Sequence, residues 1–332
     1  MRVRVLVGVL LATLLAGGTD AAEFRPAVVF DVGGRSDRSF NAAVWQGVER
    51  FMEETGVAVH TADAANAADR APAIRRAIAR GATLTIAVGF SYARAIEAVA
   101  AENPDRTFAI IDVNWLDLPN LRQYAFREHE GSYLVGIAAA LTSKTGTLGF
   151  VGGMDVPLIH RFACGYRQGA AAAKPGIGVL QDMTGRTPAA WNSPEKGAAL
   201  AHSQLARGAD VVFHAAGGTG IGVIRAAAEA GKYAIGVDLN QNGLAPGTVL
   251  TSMVKRVDVA AYETLKDAMA GKFTAGVVTL GLAEGGVDWA LDEHNAKLIA
   301  PRVRAAVEKA RADIVAGRIV VHDYVKDRRC PL

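Results

Sequence analysis

A regular alternation of short apolar runs and amphipathic segments restricts the fold of this chain more than any other feature. The runs have the length of buried strands, and the segments between them have the periodicity of helices. Strict alternation requires mostly parallel sheets, right-handed crossovers and helices on both faces. About ten such strands are too many for one compact open sheet, so the sequence predicts an α/β fold in two lobes. A ligand cleft is expected between the lobes, at the carboxyl ends of the strands.

The first break between the lobes is predicted near residues 127–131, where a strand gives way to a new strand–helix series. We assign residues 23–127 plus about 250–275 to an N-terminal lobe. The C-terminal lobe then takes residues 128–249 plus about 276–332. Since no Pro- or Gly-rich linker separates these ranges, the lobes are expected to share several short crossings that act as a hinge.

Residues 1–22 have the three regions of a secretory signal peptide. Arginines precede an apolar stretch over residues 5–15, and small residues follow up to Ala21 or Ala22, where cleavage is expected. The apolar stretch is too short for a comfortable membrane span, although a retained membrane anchor is the alternative. Because no cysteine lies near the cleavage site to carry a lipid, we expect a freely diffusing periplasmic protein.

Composition narrows the possible partners. The 332-residue chain has a net charge of only +3, and its Lys and Arg residues form no basic block, which argues against a nucleic-acid partner.

The only cysteines are Cys164 and Cys330. A disulfide is possible in an oxidising compartment, but the sequence leaves open whether these two residues lie within bonding distance.

Residues 211–241 form one predicted β-α-β unit with a cluster of glycines at the entry to its helix. Glycine lets a backbone approach a ligand, and Asp238 at the end of the second strand can accept hydrogen bonds from hydroxyl groups. Three interpretations stay open: a dinucleotide site, a small-ligand cleft, or tight strand-to-helix packing. The dinucleotide interpretation is weakened because the first β-α-β unit of the chain lacks the glycine motif.

Motifs of catalysis are not found. The 7 histidines show no metal-ligand spacing, and no nucleophile elbow, Walker loop or H-E-x-x-H occurs. His214, on a predicted strand, is interpreted as a core imidazole in preference to a base. Asp37, Asp112 and Asp238 can pair as acid and base, or can equally well bind a polar ligand. We therefore expect no enzyme, no metal and no cofactor.

Consecutive blocks of the chain resemble the basic membrane protein family, the substrate-binding proteins of ABC transporters that include purine nucleoside receptors. The resemblance runs in family order from about Val28 to Asn295. The blocks that carry it are FDVGGRSDRSFNAAVWQGVERF, GFSYARAIEAVAAENPDRTFAIID, FREHEGSYLVGIAAALTSKTGTLGFVGG, VVFHAAGGTGIGVIRAAAEAG, AIGVDLNQ and LTSMVKRVD. It implies a periplasmic-binding-protein type I fold, a monomer that captures a purine nucleoside and delivers it to a membrane permease.

The same resemblance implies which residues form the site. The positions that match the family motifs are Asn41, Asp112, Gly218, Asp238 and Lys255. Asp238 would accept the ribose hydroxyls with Lys255 beside it, and Asn41 and Asp112 would contact the edge of the base. The alternative for Lys255 is a solvated charge at a strand end.

Relatives also hold the base between aromatic rings. Trp191 is the candidate for one ring, and Phe40 and Phe90 are candidates for the other. The alternative for Trp191 is packing between the lobes. Two other functions are the alternatives: a secreted enzyme acting on nucleosides and, less favoured, a nicotinamide-dependent oxidoreductase.

Overall fold

The computed structural model describes residues 24–31 and 33–331, so the predicted signal peptide over residues 1–22 lies outside the described residues. This part of the chain contains twelve strands: β1 (Pro26–Phe30), β2 (His60–Asp63), β3 (Leu84–Ala87), β4 (Thr107–Ile111), β5 (Leu121–Phe126), β6 (Thr147–Met154), β7 (Gly178–Gly185), β8 (Val211–Ala215), β9 (Tyr233–Asp238), β10 (Val249–Lys255), β11 (Gly276–Leu280) and β12 (Val287–Trp289).

Ten α-helices lie between and after these strands in the described part of the chain. They are α1 (Phe40–Thr55), α2 (Arg70–Ala79), α3 (Ala93–Glu102), α4 (Glu128–Thr142), α5 (Pro157–Ala173), α6 (Pro194–Ala206), α7 (Gly220–Glu229), α8 (Val257–Met269), α9 (Pro301–Val315) and α10 (Tyr324–Asp327). Among residues 24–31 and 33–331, no helix combines the length and the apolarity needed to cross a membrane.

The strands form two six-stranded sheets, which confirms the predicted two-sheet α/β architecture. The first sheet has the order β11-β5-β4-β3-β1-β2 and every pairing in it is parallel. The second has the order β12-β10-β9-β8-β6-β7, and only its edge strand β12 runs antiparallel. The central strands, such as β1 and β8, are buried along their whole length because helices cover both faces of the sheets.

The assignment of residues 250–275 and 276–332 to lobes was partly wrong. Strand β10 lies in the second sheet, whereas β11, which we assigned to the C-terminal lobe, pairs with β5 at the edge of the first sheet. Only α8 of the 250–275 range packs in the first lobe, against α1. The chain therefore passes between the sheets three times: from β5 to α4, from β10 to α8, and from β11 to β12.

Helices α4 and α5 pack against each other closely because glycines line their contact. A Cβ atom on Gly169 would lie 1.9 Å from the carbonyl oxygen of Tyr133, and one on Gly165 would lie 2.4 Å from that of His129. This close approach brings the first turn of α4, which follows a crossing between the lobes, next to the first turns of α5.

The C-terminal tail, residues 316–331, returns to α5. Cys330 is disulfide-bonded to Cys164 of α5, which answers the question that the sequence left open. Hydrogen bonds in both directions join the backbone of His322 to the side chain of Gln168, each at 2.9 Å. The tail is thus fixed along one helix of the second lobe.

Candidate functional site

A cavity with about 660 Å³ of empty space, part of it open to solvent, lies between the two lobes. Its wall is built from segments at the carboxyl ends of the strands of both sheets, as the alternation predicts. Seven of the eight predicted site residues line it: Phe40, Asn41, Phe90 and Asp112 from the first lobe, and Trp191, Asp238 and Lys255 from the second.

Two aspartates occupy equivalent places in the two sheets. Asp112 follows β4 with φ of +68°, and Asp238 ends β9 with φ of +64°. The left-handed region of backbone conformation is unfavourable for most side chains and is tolerated best by Asn and Asp after glycine. This conformation turns the chain sharply where each strand ends and presents a carboxylate to the cavity.

Lys255, at the end of β10, joins the lobes. Its ammonium Nζ donates to Asp112 Oδ1 at 2.6 Å and forms an ion pair with Glu128 Oε1 at 2.9 Å, although the second contact lacks hydrogen-bond geometry. The side chain is only 2% exposed, so the alternative of a solvated charge is wrong. The rings of Phe40 and Phe126 lie 5.2 and 5.0 Å from Nζ. An ammonium carries three N–H donors, so a third N–H can donate to a ligand.

Burial and neighbouring charge act against each other in this ion cluster. Burial lowers the pKa of a lysine, but Asp112, Glu128 and Asp238 raise the pKa of Lys255 above its usual value. Burial would raise the pKa of Glu128, yet Lys255 and Arg161 hold it below its usual value. For Asp112 burial prevails and its pKa is raised. The lysine is therefore charged at every physiological pH.

Asp238 of the second lobe is hydrogen-bonded across the cleft to the first lobe. Its Oδ2 accepts a hydrogen bond of 2.5 Å from the Ser39 hydroxyl of the first lobe, and nearby Gln241 Nε2 donates to the carbonyl oxygen of Arg38 at 2.8 Å. Burial raises the pKa of Asp238 to about 7, against the opposing effects of Lys255 and the hydrogen bond from Ser39. The described conformation is closed by these contacts between the lobes.

The start of α1 is capped by Asp37. The carboxylate accepts hydrogen bonds of 2.9 Å from the backbone N–H groups of Ser39, Asn41 and Ala42, which are among the unpaired donors of a helix N-terminus. It also accepts a hydrogen bond of 3.0 Å from the side-chain amide Nδ2 of Asn41. The carbonyl Oδ1 of buried Asn41 has no hydrogen-bond partner within the described residues and can accept one from a ligand.

Aromatic rings line the cavity together with its polar groups. Phe90 and Trp191 meet edge to face across the cleft, with ring centroids 6.4 Å apart and an interplanar angle of 73°. Phe162 of α5 lines the same space, and sequence reasoning missed it. Trp191 also packs on Gly153, where a Cβ atom would lie 2.1 Å from Cζ3 of the indole ring. The tryptophan therefore both packs within its lobe and faces the cavity.

The glycine cluster of residues 217–222 divides into two roles. Gly217 lines the cavity with φ of +58°. Gly218, which the resemblance implied, lies behind it, and a Cβ atom there would be 3.4 Å from the carbonyl oxygen of Trp191. Gly220 is required for packing, since a Cβ atom would lie 2.0 Å from the ring of His214.

His214 lies within the core, as interpreted from the sequence. It is fully buried, and its Nε2 is 3.0 Å from Gln241 Oε1. Burial lowers its pKa to about 4, so it is neutral near pH 7. Among the described residues, no group of three or more His, Cys, Asp and Glu side chains is arranged to hold a metal ion.

A two-lobed α/β chain with its cavity between the lobes, at the strand ends, has the architecture of a ligand-capturing binding protein. The family model described as ABC transporter substrate-binding protein PnrA-like, Bmp, matches residues 24–323. The chain belongs to this family and is a substrate-binding protein of an ABC transporter. The resemblance to the basic membrane protein family is thereby confirmed.

Known relatives support the same assignment. The chain is 35% identical over 321 residues to the CD4+ T-cell-stimulating antigen of Listeria monocytogenes serovar 1/2a, covering 90% of this chain and 88% of that protein. It is 33% identical over 331 residues to the ABC transporter nucleoside-binding protein BmpA of Lactococcus lactis subsp. cremoris, covering 92% of each. A solved ABC transporter solute-binding protein of Aeropyrum pernix K1 is similar, with a TM-score of 0.83, 31% identity and coverage of 90% and 94%.

Proposed function

We propose that this substrate-binding protein captures a purine nucleoside in the cleft and does not transform it. The observation that carries the proposal is the presence of two kinds of group, polar and aromatic, in one cavity. Asp238, Lys255 and Asn41 supply hydrogen-bonding groups, and Phe90 and Trp191 supply aromatic surface. A nucleoside has the same two parts, a ribose rich in hydroxyl groups and a flat base.

The polar groups suit a ribose in particular. A carboxylate oxygen accepts hydrogen bonds from hydroxyl groups, and the remaining N–H of Lys255 can donate to a ribose oxygen. Asn41 Oδ1 and the carboxylate of Asp112 are then available to the base edge. The name of the Lactococcus relative, a nucleoside-binding protein, agrees with this ligand class.

Thermal unfolding with inosine, adenosine and the free bases tests the ligand class. We expect a raised melting temperature with a nucleoside and chemically unchanged ligand after prolonged incubation. The pKa of Asp238, raised to about 7, is suited to a general acid or base, so chromatography of the incubated ligand is the decisive control. A released base would establish an enzyme. No thermal shift with any nucleoside would reject the ligand class.

If Trp191 stacks on the base, replacing it should weaken nucleoside binding. Trp191→Ala is expected to weaken nucleoside binding by about 1–3 kcal/mol, because the base loses one aromatic face. Trp191→Phe keeps an aromatic face and should lose much less. Calorimetry on both variants measures the difference. Wild-type affinity in Trp191→Ala would remove this residue from the site.

We also propose that the mature protein is released into the periplasm after cleavage near Ala21. The proposal rests on the pattern of residues 1–22 and agrees with the disulfide between Cys164 and Cys330. The intact mass of the protein from the soluble periplasmic fraction tests it. A lipid-modified or uncleaved chain would contradict it.

A further inference from the structure

We propose that Arg161 is a positioning residue for Lys255, and that the C-terminal tail completes the ligand site by holding Arg161 through Asp323. The proposal rests on the proposed function in one respect only, namely that Lys255 contacts the ligand. Neither Arg161 nor Asp323 lines the cavity that holds the predicted site residues, although Arg161 lines an adjoining pocket that shares Phe90 and Asp112 with it. We expect their effect on the ligand to pass through Glu128 and Lys255.

A continuous row of five alternating charges runs from the tail to the cleft. Asp323 accepts from Arg161 with both carboxylate oxygens, at 2.8 Å to Nε and 3.2 Å to Nη2. Arg161 Nη1 lies 2.9 Å from Glu128 Oε2, and the other oxygen of Glu128 faces Lys255 at 2.9 Å. Lys255 then reaches Asp112 at 2.6 Å. Each charge in the row thus has an oppositely charged neighbour.

The five residues come from five separate segments, and all are largely buried. The exposed fractions of the side chains are 6% for Asp112, 2% for Lys255, 0% for Glu128, 11% for Arg161 and 15% for Asp323. Ion pairs in such surroundings are poorly screened, and removing one partner leaves the next charge uncompensated. Removing a charge at the Asp323 end of the row is therefore expected to alter the position of Lys255 at the cleft end.

Arg161 determines where Glu128 is held. Arg161 Nη1 also donates to the carbonyl oxygen of Phe126 at 3.0 Å, so the guanidinium is fixed between β5, α4 and the tail. Without Arg161, Glu128 has Lys255 as its nearest cation and competes with Asp112 for the same ammonium. The position of Lys255 relative to the cavity then changes.

The tail is built to hold Asp323 in place. Asp323 caps α10, the backbone of His322 is bonded to Gln168, and Cys330 is disulfide-bonded to Cys164. The ring of Tyr324 stacks on His160 with centroids 5.1 Å apart. These contacts lie along α5, the helix that carries Arg161. The tail is therefore held along α5, and it holds Asp323 against the guanidinium of Arg161.

Calorimetry with inosine on a double-mutant cycle tests the proposal. Arg161→Met should weaken binding roughly tenfold, and Asp323→Asn about threefold, within the range of coupling between charged groups in contact. In the Arg161→Met background, Asp323→Asn should have no further effect, because its partner is gone. Arg161→Lys should restore part of the affinity by restoring the charge. Additive effects, or no effect of Arg161→Met, would overturn the proposal.

Arg122→Met is the matched control. Arg122 is another buried arginine, with Nη1 2.7 Å from Asp267 Oδ2, but it lies in the first sheet and away from the cavity. Its replacement should lower the melting temperature and leave the affinity unchanged. An equal loss of affinity in Arg122→Met would mean that destabilisation alone weakens binding, and would also overturn the proposal.

The pKa of Glu128 in the ligand-free protein tests the role of Arg161 independently of the proposed function. The groups facing Glu128 are Lys255 from β10, Arg161 from α5, Asp112 after β4, and the neighbouring His129. Since Arg161 helps to lower the pKa of Glu128, carboxyl ¹³C NMR should show that pKa raised in Arg161→Met. If wild type binds no nucleoside but this shift is seen, only the ligand assignment fails. An unchanged titration of Glu128 would reject the positioning role.

Discussion

Asp238→Ala is expected to weaken binding of a ribonucleoside about 100-fold or more. A carboxylate that accepts two hydroxyl groups makes two charge-assisted hydrogen bonds, each worth about 1.5–3 kcal/mol. The loss of both therefore amounts to at least about 3 kcal/mol, and each 1.4 kcal/mol is about tenfold in affinity. Asp238→Asn keeps an acceptor oxygen of the same shape, and should fall between wild type and the alanine variant. Calorimetry on the three proteins measures this order.

The same residue should set the preference for ribose. We expect 2′-deoxynucleosides to bind wild type at least about tenfold more weakly, because part of a buried carboxylate is left unpaired. In Asp238→Ala both ligands lose the same partner, so the preference should disappear. Equal binding of inosine and 2′-deoxyinosine by wild type would show that Asp238 does not bind the ribose hydroxyls.

The pH dependence has opposite signs for binding and for stability. The ionised carboxylate is the acceptor, and burial raises the pKa of Asp238 to about 7, so affinity should fall about tenfold per pH unit below that value. The ligand-free fold instead favours the neutral acid, whose pKa lies above the ordinary 3.8. That contribution to stability is present at low pH and is lost as pH rises through about 7. Both dependences should be weaker in Asp238→Asn.

Lys255→Met is expected to destabilise the fold by about 3–5 kcal/mol, because it removes the cation between two buried carboxylates. Asp112 would then lose its cation, and Glu128 beside it would keep only Arg161. Urea unfolding gives the loss directly. Adding Asp112→Asn to the same chain should recover part of it, since the uncompensated charge is then absent.

Lys309→Met is the control for Lys255→Met. Lys309 makes a contact of the same length, 2.6 Å to Asp313, but its side chain is 78% exposed. An exposed pair contributes about 0–1 kcal/mol, so this variant should unfold close to wild type. Equal unfolding free energies for the two lysine variants would show that the cluster around Lys255 contributes no more than a surface pair.

The elements of the fold followed from local sequence, but the placement of two strands did not. The runs that became β10 and β11 are both apolar, so nothing local distinguishes the sheet that each joins. Pairing of β11 with β5 depends on where the third crossing runs, which is a property of the whole chain. The periodicity therefore predicted the strands and helices, but the lobes assigned to β10 and β11 were wrong.

The sequence pointed to residues that line the cavity as far as they lie in recognisable loops. Asp112, Asp238 and Lys255 stand at strand ends, where the family motifs and the general geometry of α/β folds both indicate ligand contact. Glu128 was missed because an acidic residue in the first turn of a helix is ordinary at an exposed surface. Its complete burial results from the close packing of α4 on α5, and only the two glycines of α5, Gly165 and Gly169, hinted at that.

The three passages of the chain between the sheets govern how the protein can fold. Arg122 of β5 lies opposite Gly276 of β11, so the first sheet stays incomplete until most of the chain is available. Pairings between such distant segments form slowly, because the long intervening loop must close first. Until then the edge of β5 is an unpaired strand that other chains can join. Folding of the first lobe thus waits for the second, and a chain shortened before residue 276 would leave an open edge prone to aggregation.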